Sequence, residues 1–152
     1  MLLRRILSVM IVVTGLLPSI AAFAGDYTVS YAFDGAREDD VAAGATSSLN
    51  DAGTTKECWY EKYCRISLTK ADLTITFTVQ RSNRHEVVVY VDGGRSRSAS
   101  CCYFSGGESR VAIELAQPLL YLRIYEGRAR KRNEVVQNLH LGLLYLQFSD
   151  LR

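Results

Sequence analysis

Hydrophobic and polar residues alternate one by one over several short stretches of this chain. The clearest stretch runs from residue 73 to residue 79, where Leu73, Ile75, Phe77 and Val79 alternate with three threonines. A period of two in a segment rich in β-branched residues predicts a strand with one buried face and one solvated face. Residues 27–33 repeat the same pattern.

Four further segments carry strand signals, at residues 87–91, 111–115, 119–125 and 139–148. The last is apolar on both faces, which is typical of a central strand. No window of helical length shows a 3.6-residue apolar stripe with caps. The spacing therefore predicts an all-β fold, a small disulfide-stapled β-sandwich or flattened barrel of about seven to eight antiparallel strands.

Two segments in the first part of the chain lack the strand pattern. A short basic start with Arg4 and Arg5, an apolar run over residues 6–20 and the triplet Ala22-Phe23-Ala24 are typical of a cleaved secretory signal peptide. We therefore expect residues 1–24 to be removed and residues 25–152 to form one domain. Residues 35–56 lack a long apolar run, which predicts a mobile loop.

Export changes how the charge is interpreted. Two of the 18 basic residues lie in the leader, so the mature chain balances its 16 acidic residues. We expect no nucleic-acid partner and no stable membrane insertion after cleavage. We expect the protein to be exported by a bacterium and to be periplasmic or secreted.

Four cysteines, Cys58, Cys64, Cys101 and Cys102, follow the leader. An even number in an exported chain predicts disulfides, and neither zinc-knuckle nor thioredoxin spacing is present. Adjacent cysteines joined by a trans peptide lie too close for ordinary disulfide geometry. We therefore favour two long-range bridges between the two segments, while a local Cys58–Cys64 loop with a vicinal pair stays open.

Two features suggest a contact surface. Trp59, Tyr60 and Tyr63 lie between two cysteines, and Tyr103 and Phe104 follow the other two. The long-range bridges would bring these five rings together, either as core around the disulfides or, with Trp59 and Tyr60 exposed, as a partner-binding surface. The second feature is the basic turn, whose four bases are Arg128, Arg130, Lys131 and Arg132. It predicts either a solvated tip or a site for an anionic partner.

No catalytic motif accompanies these features, and we expect no catalytic residues, metal or cofactor. The leading hypothesis is an exported, non-enzymatic β-domain that binds a protein or an anionic cell-envelope polymer. In size and composition it is similar, by analogy only, to periplasmic inhibitors and immunity proteins. A structural or assembly component of the envelope and a small hydrolase with an unrecognised site are the alternatives.

Overall fold

A computed structural model describes residues 25–35, 49–81, 86–97, 101–126 and 139–151. These residues form strands and connecting turns and contain no helix. The nine strands of this part of the chain are β1 Tyr27–Gly35, β2 Asp51–Cys58, β3 Cys64–Leu68, β4 Leu73–Val79, β5 Glu86–Gly93, β6 Tyr103–Phe104, β7 Arg110–Glu114, β8 Leu119–Glu126 and β9 Leu139–Ser149.

The strands form two antiparallel sheets. One sheet has five strands in the order β2-β1-β9-β8-β6, and the other has four in the order β3-β4-β5-β7. The buried apolar side chains of both sheets belong to one core cluster. This arrangement confirms the predicted all-β, sandwich-like fold.

The alternation over residues 73–79 has the predicted structural meaning. In β4 the four apolar side chains are buried and the three threonines are partly exposed. Phe77 is fully buried, and its ring meets Phe148 of β9 edge-on, with the ring centres 5.8 Å apart. The two sheets therefore contact each other through the face that the period of two indicates.

The prediction that residues 139–148 form a central strand is also confirmed. Strand β9 pairs with β1 on one side and with β8 on the other. Its inner residues, such as Leu144 and Leu146, are fully buried. On the outer face, Tyr145 contacts Tyr121 of β8 edge-on at 5.3 Å between ring centres, and Tyr121 is 59% exposed.

A short ion pair ties the two sheets together near their edge. The Arg97 side chain is 5% exposed and donates a hydrogen bond of 2.8 Å to the carboxylate of Glu126, at the end of β8. The same guanidinium donates to the carbonyl of Ala71, in the turn between β3 and β4. Because the N–H donors on both sides of the guanidinium have partners, these hydrogen bonds offset the free-energy cost of burying its charge.

The expected mobile loop over residues 35–56 is wrong for its second part, since Asp51 to Lys56 form most of β2. This edge strand has few buried side chains, so it lacks the apolar alternation that reveals a strand. Its backbone pairs with β1 instead, and Gly53 opposite Tyr31 leaves room for the tyrosine ring. Edge strands of this kind are defined by their neighbour rather than by their own side chains.

Several expectations lie outside the described residues. These are the cleaved signal peptide at residues 1–24, the loop at residues 36–48, and the basic turn with Arg128, Arg130, Lys131 and Arg132. Within the part of the chain that the structure describes, no helix has the length and hydropathy needed to cross a membrane.

Candidate functional site

The four cysteines pair locally, so the favoured long-range bridges are wrong. Cys58 bonds to Cys64, with their Cα atoms 5.4 Å apart, and Cys101 bonds to Cys102. The peptide between Cys101 and Cys102 is cis, and the pair lies just before β6 rather than inside a strand. Separate partners were expected for these two cysteines on the basis of a trans peptide, and the peptide here is cis.

The local disulfides therefore do not themselves bring the five aromatic residues near the cysteines together. Tyr60 is buried, and its ring packs on Tyr27 with 5.4 Å between ring centres, which favours the core alternative for this residue over an exposed contact surface. Phe104 belongs to the core, while Tyr103 stacks on Tyr125 of β8. Only Tyr63 stands far into solvent, with 72% of its surface exposed.

Trp59 occupies an intermediate position. It is partly buried, and the ammonium group of Lys62 lies 5.7 Å from the centre of its ring. This distance is within the range of a cation–π contact. The place of Trp59 on a partner-binding surface stays a prediction.

The loop that the Cys58–Cys64 disulfide closes fixes the position of Tyr63. Glu61 adopts a left-handed backbone conformation with φ of 61°, and its amide donates to the carbonyl of Val79 over 2.9 Å. Tyr63 then directly precedes Cys64, the first residue of β3. A side chain held by a disulfide and a backbone hydrogen bond loses little freedom on binding a partner.

Tyr63 stands beside a row of side chains on the outer face of the four-stranded sheet. Strand register aligns Arg65 of β3, Thr76 of β4, Tyr90 of β5 and Arg110 of β7. The inner neighbours in each strand are core residues, so this row points away from the core. The ring of Tyr63 meets that of Tyr90 at 69°, with 6.2 Å between centres.

These side chains enclose a groove, which we call the Tyr63 groove. Its volume is about 590 Å³, and its lining residues are Tyr63, Arg65, Thr76, Tyr90 and Asp92. The lining provides two aromatic rings, a guanidinium, a carboxylate and a hydroxyl. Donors, acceptors and apolar surface thus converge on one concave patch, which is typical of a recognition site.

Arg110 supports the groove from the neighbouring edge strand. Its Nε donates to the hydroxyl oxygen of Tyr90 over 3.2 Å, and its guanidinium lies 5.9 Å from the centre of the same ring. Tyr90 is therefore held from both sides, by Arg110 on β7 and by Tyr63 in the disulfide loop.

A second depression, of about 460 Å³, lies near the first described residue. Its lining includes Asp26, Lys56, Arg81 and Asp150, two acids and two bases. Arg81 lies 5.0 Å from the ring centre of Tyr60 and 4.0 Å from the carboxylate of Asp26. These charges largely compensate one another and cover the buried ring of Tyr60, so the depression is a weaker candidate than the Tyr63 groove.

Neither site contains a cluster suited to a metal. Among the residues that the structure describes, no group of three or more His, Cys, Asp or Glu side chains is placed to hold a metal ion.

A comparison of the chain with protein-family models finds no match, and neither do comparisons with curated proteins and with solved structures.

The sequence patterns named Tyr63 as part of an aromatic cluster but did not connect it to Tyr90. A signal was present, since Tyr90 alternates with the buried Val89 and Val91 and must share the outer face with the threonines of β4.

Proposed function

We propose that this protein is an exported, non-enzymatic domain that binds a protein or a cell-envelope partner through the Tyr63 groove. The observation that carries the proposal is the exposure of Tyr63, at 72%, beside the partly exposed Tyr90. A large ring costs free energy when water surrounds it, and a disulfide loop keeps this one in that position. Tyrosines of this kind are frequent anchors of binding sites.

The groove chemistry supports recognition rather than catalysis. Arg65 supplies donors, Asp92 supplies acceptors, and the rings supply apolar surface. Among the described residues, the lining contains no histidine or cysteine that could act as a general base or nucleophile near neutral pH. We therefore prefer a binding domain to the alternative of a small hydrolase.

The disulfides support the proposed location. Both cysteine pairs of the chain are bonded, and structural disulfides are typical of oxidising compartments outside the cytoplasm. Together with the leader-like residues 1–24, they favour a periplasmic or secreted protein. The basic turn with Arg128, Arg130, Lys131 and Arg132 stays a prediction with its two alternatives, a solvated tip or a site for an anionic partner.

The test is retention of a partner by immobilised mature protein in an extract of the producing cells' envelope fraction. Tyr63→Ala should reduce the affinity for the retained partner by roughly 30-fold or more, because an anchor residue contributes about 2 kcal/mol. Its matched control is Tyr121→Ala, which removes the other strongly exposed tyrosine from the opposite face of the sandwich.

Both variants should keep the melting temperature of the wild type, since neither ring is buried. Retention that Tyr63→Ala leaves unchanged and Tyr121→Ala abolishes would reject the Tyr63 groove and move the binding surface to the five-stranded sheet. Retention that neither variant changes would reject the groove as well.

A further inference from the structure

We propose that the ligand of the Tyr63 groove is a polysaccharide, bound through uncharged, hydroxyl-rich sugar units. This inference rests on the proposed function and names the class of partner. It draws on the composition of the groove, on its length across the sheet and on the way its two rings are held.

The rings offer the apolar half of a sugar site. Tyr63 and Tyr90 meet at 69°, so their faces form two walls of a corner instead of one flat platform. A sugar ring has an apolar side of C–H groups, which packs on the face of an aromatic ring, and polar hydroxyls around its edge. Tyrosine suits this contact because its phenol presents an apolar body together with a polar tip.

The remaining lining suits hydroxyl groups. Every sugar hydroxyl both donates and accepts, and here Arg65 donates, the Asp92 carboxylate accepts, and Thr76 does both. A phosphate or carboxylate ligand would be attracted by Arg65 but repelled by Asp92 in the same groove. Arg110 at the edge of the groove is engaged with Tyr90, so the charges of the lining itself balance and favour an uncharged polar ligand over an anionic one.

The outer face is also too polar for a typical protein-binding core. Around the groove, β4 contributes Thr74, Thr76 and Thr78, and among the described lining residues the two tyrosines are the large apolar groups. Protein interfaces place a desolvated apolar cluster at their centre. A sugar chain needs no such cluster, since its own surface is mostly hydroxyl.

The shape indicates a chain rather than a single sugar. Arg65, Thr76 and Tyr90 lie in register on three adjacent strands, so the row spans about 10 Å at the usual strand spacing. The groove opens to solvent at Tyr63. Open strand faces bind oligosaccharides in other β folds. The row is longer than a single sugar ring, which favours an oligosaccharide segment that crosses the strands.

The experiment uses the mature, disulfide-bonded protein and a glycan array of uncharged and acidic oligosaccharides from monomer to hexamer. Native electrophoresis through gels that contain soluble polysaccharides is the second measurement. We expect binding to uncharged oligosaccharides, with affinity that rises from monomer to longer chains. Tyr63→Ala and Tyr90→Ala should each weaken it at least about tenfold. Tyr121→Ala should not change it, and moderate salt should have little effect.

Two results would overturn the inference. One is the absence of binding to every glycan on the array and in the gels. The other is binding only to acidic glycans, lost in moderate salt and unchanged by Tyr63→Ala. If a protein partner is retained through Tyr63 while no glycan binds, the proposed function stands and this inference fails. If Tyr63→Ala alters neither protein retention nor glycan binding, both fail.

Discussion

Replacing Tyr27 by phenylalanine should stabilise this protein. Tyr27 begins β1, is 1% exposed, and packs its ring against Tyr60 and Phe148 at 5.4 and 6.3 Å between ring centres. Among the described residues its hydroxyl makes no hydrogen bond of normal geometry, although the backbone of Val79 lies close enough to favour the ionised phenol and so to lower its pKa by part of the rise that burial causes. A buried hydroxyl without a partner costs about 1–3 kcal/mol.

Phenylalanine keeps the ring and its contacts and removes only the uncompensated oxygen. We therefore expect Tyr27→Phe to raise the free energy of unfolding at neutral pH by about 1 kcal/mol, the lower end of that range, because the small cavity left behind offsets part of the gain. Urea denaturation of the mature protein with its disulfides intact measures this difference. Tyr121→Phe, at an exposed ring, is the control and should be neutral.

The same substitution predicts a change in alkaline stability. Burial raises the pKa of the Tyr27 phenol well above its ordinary value of about 10. Above about pH 10 the unfolded state therefore binds fewer protons than the folded state, so wild-type stability falls as pH rises toward the folded pKa. Tyr27→Phe should show a shallower fall.

A loss of about 1 kcal/mol or more at neutral pH in Tyr27→Phe would show that the hydroxyl makes a stabilising hydrogen bond. Parallel alkaline slopes in the wild type and the variant would show that this phenol titrates normally. Either result would refute the account of Tyr27 as an uncompensated buried group.

Three further predictions concern the core, the acid limit and the cysteines. Phe77→Ala should lower the free energy of unfolding, measured by urea denaturation, by about 3–5 kcal/mol, because its ring is fully buried between the sheets. Thr78→Ala beside it is the control and should lower the same quantity by under about 1 kcal/mol. Equal losses in the two variants would contradict a half-buried β4. The hydroxyl and the amide of Ser96 donate hydrogen bonds to the Asp72 carboxylate and hold its pKa below the ordinary value of about 3.9. The ionised carboxylate therefore stabilises the fold above that pH, and this stabilisation is lost as the pH falls through the folded pKa. Asp72→Asn, which tolerates the left-handed backbone there, should therefore soften the decline in melting temperature below about pH 4, and an unchanged decline would reject this role. Mass spectrometry of non-reduced peptides should find one local and one vicinal disulfide, and a peptide that links the two cysteine segments would contradict the pairing seen here.

Side-chain periodicity revealed the strands that build the core, because burial on one face forces alternation in the sequence. Strand β4 shows this alternation with its buried apolar residues and outward threonines. Strand β9 gave a different signal, because its sequence is apolar on both faces. Strand β2 was hidden, because an edge strand held by backbone pairing needs no apolar pattern. Its residues looked like part of a loop for that reason.

The cysteine pairing and the Tyr63 groove depend on relations that periodicity does not encode. The pairing depends on how the chain turns between Cys58 and Cys64 and on the peptide that joins Cys101 to Cys102. The groove depends on strand register, since Tyr63 and Tyr90 are 27 positions apart in the chain and meet only because β3, β4 and β5 are neighbours. Sequence patterns identified the cysteines and Tyr63 as noteworthy without indicating which residues they would meet.

The central claim, that the outer face of the four-stranded sheet is the binding surface, is tested most directly by nuclear magnetic resonance. Amide signals of labelled mature protein would be followed while the partner isolated by retention is added. The account predicts that the changes concentrate at Tyr63, Arg65 and Tyr90 on the groove. Changes that concentrate instead at Tyr121 and Tyr145, on the outer face of the five-stranded sheet, would contradict it.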